Sequence, residues 1–183
     1  MVRDSMKCWS NPNIKLPDRW TPDGRFVVYS ELDPKTKWDL WVLPMMDGAN
    51  ERHPLAFLHS EFNELYSQIS PDGRWMAYTS DESGRREIYV RRFPEGSGQV
   101  RISKGGGEQP RWRRDGKELF FMSADGTLTS VSIKESPYDE CTVGQRTNYA
   151  GGAQGAARRR ERDRKNSSYD PESSRRGRKY SCG

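Results

Sequence analysis

A short segment recurs three times along the chain: "WTPDGRFVVYS" (Trp20–Ser30), "ISPDGRWMAYTS" (Ile69–Ser80) and "WRRDGKELFFMS" (Trp112–Ser123). Each copy has an aromatic residue or Ile, two linking residues, Asp-Gly, a basic residue and a short apolar run. The Asp-Gly pairs fall at 23–24, 72–73 and 115–116, at intervals of 49 and 43 residues. Repetition at this period belongs to solenoids, propellers or arrays, in which each unit buries its apolar surface only against its neighbours. The chain is therefore a row of similar units rather than one ordinary domain.

Within each unit the pattern is one of strands and turns. "RFVVYS" and "RWMAYTS" are rich in β-branched and aromatic residues and bounded by turn chemistry. Asp23-Gly24, Asp72-Gly73 and Asp115-Gly116 are the structural turns: Gly tolerates positive φ, and Asp bonds its own backbone two residues on. Pro22 and Pro71 preset φ at the turn entrance. Further strands are expected in "WDLWVLPM" (Trp38–Met45) and "REIYVRRFP" (Arg86–Pro94). Fourth strands are expected in "HPLAFLH" (His53–His59) and "GQVRIS" (Gly98–Ser103). In "WDLWVLP", Leu40 and Val42 point one way and Trp41 and Leu43 the other, so both faces are apolar, as in a sheet packed on both sides. Unit three shows "QPRW", "KELFFMS" and "GTLTSVSIK", and after Lys134 the pattern stops, leaving its fourth strand missing.

Composition changes at the same place. Residues 1–134 carry 20 Lys/Arg and 19 Asp/Glu, whereas residues 135–183 carry 11 and 7, so most of the net +5 lies in the tail. That tail has one Val and no Leu, Ile, Phe, Met or Trp. It cannot offset an ordering cost of about 1–2 kcal/mol per residue and is expected to be disordered. The abrupt change is what a reading-frame shift or truncated gene prediction produces; translating every frame beyond Lys134 tests that origin. The expected organisation is a lead-in over 1–16, units over about 17–60, 61–104 and 105–134, and a basic tail over 135–183.

Four short antiparallel strands per unit form the blade of a β-propeller. "SPDGRWMAYTSDESGRREIYVRRFP" and "GGGEQPRWRRDGKELFFMSADGTLTSVSIK" resemble the WD40-like (PD40) propeller repeats of the TolB type. The similarity is greatest to the carboxy-terminal propeller of bacterial eukaryotic-like serine/threonine kinases. The same repeat type forms the propeller of prolyl-oligopeptidase-like peptidases. The resemblance covers about Pro17 to Lys134. It implies an all-β fold, a partial propeller of about three four-stranded antiparallel blades, and an interaction or sensor role outside the cytoplasm. The kinase motifs and the peptidase's GxSxG elbow do not occur in this sequence.

Candidate sites are few. The glycine runs "EGSGQ" (Glu95–Gln99) and "SKGGGEQP" (Ser103–Pro110) lack the spacing of a phosphate-binding loop and read as turns. His53 and His59, with Glu61 and Glu64 nearby, lack the helical or HExxH spacing of a metal site. Cys8, Cys141 and Cys182 show neither a zinc spacing nor an even count for a disulfide framework. No catalytic residue, cofactor or metal is assigned. Trp20, Trp38, Trp41, Trp75 and Trp112, with Tyr78, Tyr89, Phe120 and Phe121, are expected to fill the wedges between blades. The basic residues Arg85, Arg86, Arg91, Arg92, Arg111, Arg113 and Arg114 surround units two and three and are the candidates for binding an acidic partner.

The functional expectation is a non-enzymatic propeller scaffold that binds a protein or ligand, and is itself a fragment of a larger protein. The alternative is a regulatory propeller fragment of a serine/threonine kinase or a prolyl-oligopeptidase-like peptidase. A protein partner is expected, with self-association through open blade edges. Nucleic acid is expected only through "ARRRERDRK" and "RRGRK" in the tail. No stretch has the length of a membrane span, and "MVRDSMKCWSNPN" lacks the apolar core of a signal peptide.

Overall fold

The computed structural model describes residues 12–45, 53–135 and 141–149. They form twelve strands in three four-stranded antiparallel sheets, each built from consecutive strands. Blade one comprises β1 (Ile14–Trp20), β2 (Phe26–Asp33), β3 (Lys37–Pro44) and β4 (Leu55–Leu58). Blade two comprises β5 (Glu64–Ile69), β6 (Trp75–Ser80), β7 (Glu87–Arg92) and β8 (Val100–Arg101). Blade three comprises β9 (Glu108–Trp112), β10 (Glu118–Met122), β11 (Leu128–Glu135) and β12 (Cys141–Tyr149). The expected architecture of three four-stranded antiparallel blades is the one observed.

Two details differ from the sequence reading. β1 begins at Ile14, inside the expected lead-in. Unit three also has its fourth strand: β12 pairs with β11 from Leu128↔Tyr149 to Glu135↔Cys141. Its sequence, CTVGQRTNY, lacks apolar alternation because the strand lies at the sheet edge with most side chains in solvent. Backbone pairing, to which a hydrophobicity pattern is blind, holds it in place. The rest of the expected tail, and most of the lead-in, lie outside the described residues, as do Cys8 and Cys182.

The three Asp-Gly turns share one hydrogen-bond frame. In blade one, Thr21 N donates to Phe26 O (2.9 Å), and Gly24 N donates to Thr21 O (2.9 Å). Ser70 and Trp75, and Arg113 and Glu118, repeat the first bond at 2.8 Å in each case. The Asp carboxylate sits inside the frame. Asp23 Oδ1 accepts from Arg25 N at 3.0 Å, Asp72 Oδ1 from Arg74 N at 3.1 Å, and Asp115 Oδ1 from Lys117 N at 3.0 Å. Gly24, Gly73 and Gly116 have φ of 71°, 77° and 72°, the left-handed region that a side chain disfavours. Thr21 and Ser70 complete the turn by donating a hydroxyl to the Asp and accepting the backbone N–H five residues on. In blade three Arg113 stands at that position and grips Asp115 with two bonds, Nε to Oδ1 (2.8 Å) and Nη2 to Oδ2 (2.6 Å).

The middle blade feeds two cores, because a strand alternates its side chains between faces. Met76, Tyr78 and Tyr89 face blade one and pack with Val28, Leu40 and Val42. Trp75, Ala77, Ile88 and Val90 face blade three and pack with Leu119, Phe121 and Val131. The division of β7 between Ile88/Val90 and Tyr89/Arg91 matches the alternation in its sequence. Each of the Val, Leu, Ile, Met and Phe side chains among them contributes about 1.5–3 kcal/mol when fully buried.

Repeat position and burial separate cleanly in blade three. Counted from the Asp-Gly turns and the strand registers, Leu40, Ile88 and Leu128 are equivalent. The first two are fully buried, and the third is exposed. We predict that Ile88→Ala lowers unfolding stability by about 2–5 kcal/mol. Leu128→Ala should cost less than about 1 kcal/mol. Urea titrations of the two variants measure both, and equal losses would contradict this assignment of the wedge.

Candidate functional site

Antiparallel pairing sorts the loops into two groups. The Asp-Gly turns lie at one end of the blades. The opposite end carries the β2–β3, β6–β7 and β10–β11 turns and the two segments that link blade to blade, residues 59–63 and 102–107. We call this the linking end. Loops held on a rigid scaffold are where propellers vary and bind.

A buried carboxylate at the head of the third strand anchors each linking segment. In blade two it is Glu87, which is buried. Its Oε1 accepts from Gly105 N (2.9 Å) and Gly106 N (3.0 Å), and Ser103 donates its hydroxyl to Oε2. Ser103 Oγ in turn accepts from Ile88 N at 2.8 Å. The glycine run is thus an anion cradle filled by the protein's own side chain. Gly106 is required there: its φ is 105°, and a Cβ would lie 2.5 Å from the Ala124 Cβ. In blade one the equivalent residue is Asp39, whose Oδ2 accepts from Thr36 Oγ1 (2.6 Å) and lies 3.6 Å from His59 Nε2. Burial pushes the Asp39 carboxyl up, with the Thr36 hydroxyl and His59 opposing.

Glu64, at the start of β5, is a second buried acid beside Asp39. Its Oε1 accepts from Ser60 Oγ at 2.6 Å, while Oε2 has no hydrogen-bond partner among the described residues. Burial, reinforced by the nearby acids Asp39, Glu82 and Asp81, raises its pKa to about 7. Asp18, on β1, is likewise raised by burial, against hydrogen bonds from Ser67 (2.7 Å) and Ser30 (2.8 Å). Of these acids only Glu64 was named from the sequence, as a neighbour of the His53/His59 pair, and none was singled out as a buried anchor. The available signal was one acidic residue opening an otherwise apolar strand in both "WDLWVL" and "REIYV".

A cleft of about 400 Å³ opens at the linking end between blades two and three. Arg85, Arg86, Gly106, Glu108, Gln109 and Met122 are among its walls. Arg86 Nη1 pairs with Glu108 Oε2 at 3.1 Å, and Arg85 is exposed. Gln109 holds φ of 57° at a bulge in β9. Bulges and left-handed non-glycine residues re-aim side chains and concentrate at functional rims. Arg146 reaches the same rim, donating to Ser123 Oγ at 3.1 Å, with its guanidinium 5.7 Å from the centroid of the Phe121 ring.

The seven candidate arginines do not form one surface. Arg85 and Arg86 stand at the linking end. Arg91 and Arg92 close the opposite end of β7. Arg91 donates to the Tyr78 hydroxyl (3.1 Å), Gln99 Oε1 and Gly96 O (3.1 Å), and Arg92 lies 5.6 Å from the centroid of the Trp75 ring. Arg113 is committed to Asp115 and Glu118. Arg114 is exposed on the Asp-Gly turn, and Arg111 is exposed on β9. Of the aromatic set, Trp75, Tyr78, Tyr89 and Phe121 are buried, whereas Trp20 is exposed. His59 sits beside Asp39, and among the described residues no group of three His, Cys, Asp or Glu is placed to hold a metal ion.

With this geometry established, comparison with known proteins fixes the class. No family model matches the chain. An uncharacterized protein of Agrobacterium fabrum is 27% identical over 111 residues, covering 60% of this chain and 36% of that protein. Among solved structures, a protein assigned as TolB from Agrobacterium tumefaciens superposes with a TM-score of 0.57 at 22% identity, over 75% of this chain and 50% of that one. The β-propeller domain of the trilobed protease from Pyrococcus furiosus superposes with a TM-score of 0.50 at 17% identity, over 75% of this chain and 43% of that one. The chain thus spans about a third of the curated relative and half of the first structure. Its fold is that of β-propeller blades, similar to those of the TolB structure.

Glu64 supplies a pH test of this end of the molecule. Its pKa is raised in the folded state, from 4.5 to about 7, so the folded protein binds the proton more tightly between those values. Stability therefore falls as pH rises from 4.5 to about 7 and stays reduced above. We predict that Glu64→Gln flattens this decline and is more stable than the parent at pH 8, with Asp18 and Asp39 keeping the remainder. Chemical denaturation across that pH range reads the slope, and an unchanged slope would sink the assignment.

Proposed function

We propose that this chain is a non-enzymatic propeller scaffold, part of a larger protein, whose linking end binds an acidic segment of a protein partner. The observation that carries this reading is the cleft between blades two and three, where Arg85 and Arg86 stand on the rim of a rigid two-blade core. Arginine suits the task, because its planar fork pairs with carboxylates through two parallel hydrogen bonds. The amides of the neighbouring glycine loop are already bound to Glu87, so recognition falls to the side chains of the rim. Fold alone does not fix function, and the weight of the proposal rests on this site.

A second reading is a regulatory propeller fragment of a peptidase or serine/threonine kinase. The similarity to a protease propeller domain supports its peptidase form. A serine-hydrolase or kinase domain encoded in the same reading frame distinguishes this reading from the first.

A labelled hexaglutamate peptide tests the first. Fluorescence polarisation should show saturable binding that weakens as salt rises. The double variant Arg85→Glu/Arg86→Glu should weaken it at least about tenfold, equivalent to about 1.4 kcal/mol. Arg114→Glu, at the other end, should leave it unchanged. Equal losses in both variants would reduce the effect to net charge and overturn the site.

A further inference from the structure

The two segments that link blade to blade follow one plan but balance their buried acids differently. Counted back from the next Asp-Gly turn, Ser60 is equivalent to Ser103, Phe62 and Asn63 to Gly105 and Gly106, and Glu64 to Gly107. In the second link a single carboxylate, Glu87, receives the Ser103 hydroxyl and the Gly105 and Gly106 amides. In the first link the corresponding amides are spent elsewhere. Phe62 N donates to Ser60 Oγ (3.1 Å), and Asn63 N donates to Asp81 Oδ1 (2.9 Å). Where the second link has Gly107, the first adds another carboxylate, Glu64.

Two acids are thus buried in the first link, Asp39 at 0% exposure and Glu64 at 2%. Thr36 gives its hydroxyl to Asp39 Oδ2, and Ser60 gives its own to Glu64 Oε1. Asp39 Oδ1 and Glu64 Oε2 have no hydrogen-bond partner among the described residues. The surroundings are acidic as well. Glu64 feels the charges of Asp39 on β3 and of Asp81 and Glu82 in the β6–β7 turn, and it acts on the Tyr78 hydroxyl of β6. Asp39 is opposed by Asp33 and favoured by His59 and the Ser60 amide. The cations Lys37 and Arg86 act on Asp81. A second buried negative charge here is costly, and a proton on one carboxylate both removes it and supplies a donor that the pair lacks.

We propose that Asp39 and Glu64 hold one proton between them, and that its loss to solvent releases the 59–63 segment, a pH-operated latch between blades one and two. While the proton is held, the pair stays buried and Asn63 ties the segment to Asp81 through its backbone and side-chain amides. Once it leaves, opening of the segment lets water reach carboxylates that the closed form leaves short of donors. Glu64 has a pKa of about 7 when closed and returns toward 4.5 when open, so opening becomes easier as pH climbs between those values. Glu87, alone and matched by its hydroxyl and two amides, gives the second link no such dependence.

Hydrogen exchange of the full chain, read residue by residue and corrected for the intrinsic rate at each pH, tests the latch. From pH 5.5 to pH 8 the protection of the Asn63 amide should fall at least about tenfold. The Gly105 and Gly106 amides of the other link should change by less than about twofold. Glu64→Gln should abolish the fall at Asn63, and Asp39→Asn, which removes the neighbouring charge, should reduce it. His59→Gln should leave it in place. Constant protection at Asn63, an equal fall at Gly105 and Gly106, a fall that survives Glu64→Gln, or one that disappears in His59→Gln would each overturn the proposal. So would protection restored at pH 8 by millimolar calcium, which would make the pair a metal site.

Discussion

Every sheet in this molecule carries apolar side chains on both faces, and a single four-stranded sheet cannot hide both from water. The rest of the structure follows from that constraint. Blade two solves it by placing Met76 and Tyr78 against blade one, and Trp75 and Ala77 against blade three. Its second strand is consequently the most buried of the described strands, with all six residues of β6 buried. Stability here is a property of interfaces between repeats more than of any one repeat. The terminal blades each satisfy one face within the chain and leave part of the other open.

Polar groups then decide how the blades are joined. Glu87 and Asp39 are acids buried at equivalent points, where an isolated charge would be costly. Hydrogen bonds from Ser103, Gly105 and Gly106 offset that cost for Glu87. The same bonds fix the path of the linking segment and set the wall of the cleft that Arg85 and Arg86 rim. The glycine run and the arginines therefore belong to one device: the carboxylate shapes the loop, and the loop leaves the cations facing solvent.

Much of this was legible in the sequence, for identifiable reasons. The Asp-Gly turns depend on residues within six positions of one another, so local chemistry suffices to find them. Strand alternation in "REIYVRR" states which residues share a face. β12 was illegible because an exposed edge strand carries no apolar period, and the scatter of the arginines was illegible because neighbours in sequence occupy opposite ends of a strand. Arg86 precedes β7 and Arg92 ends it, so the two lie on opposite rims. Arg113 reads as a free cation in "WRRDGKE", yet it replaces the hydroxyl of Thr21 and Ser70 in the turn.

By itself the sequence determined the repeat, the turns that punctuate it and the alternation that makes each strand two-faced, all of which depend on contacts between near neighbours. Only the tertiary structure decided which faces are covered. Leu40, Ile88 and Leu128 are alike in sequence position, but burial belongs to the pair of surfaces that meet, and Leu128 has no following blade against it among the described residues. The same holds for the acids: whether Glu64 and Glu87 are solvated surface charges or buried anchors is set by what packs on them, at separations that local chemistry does not encode.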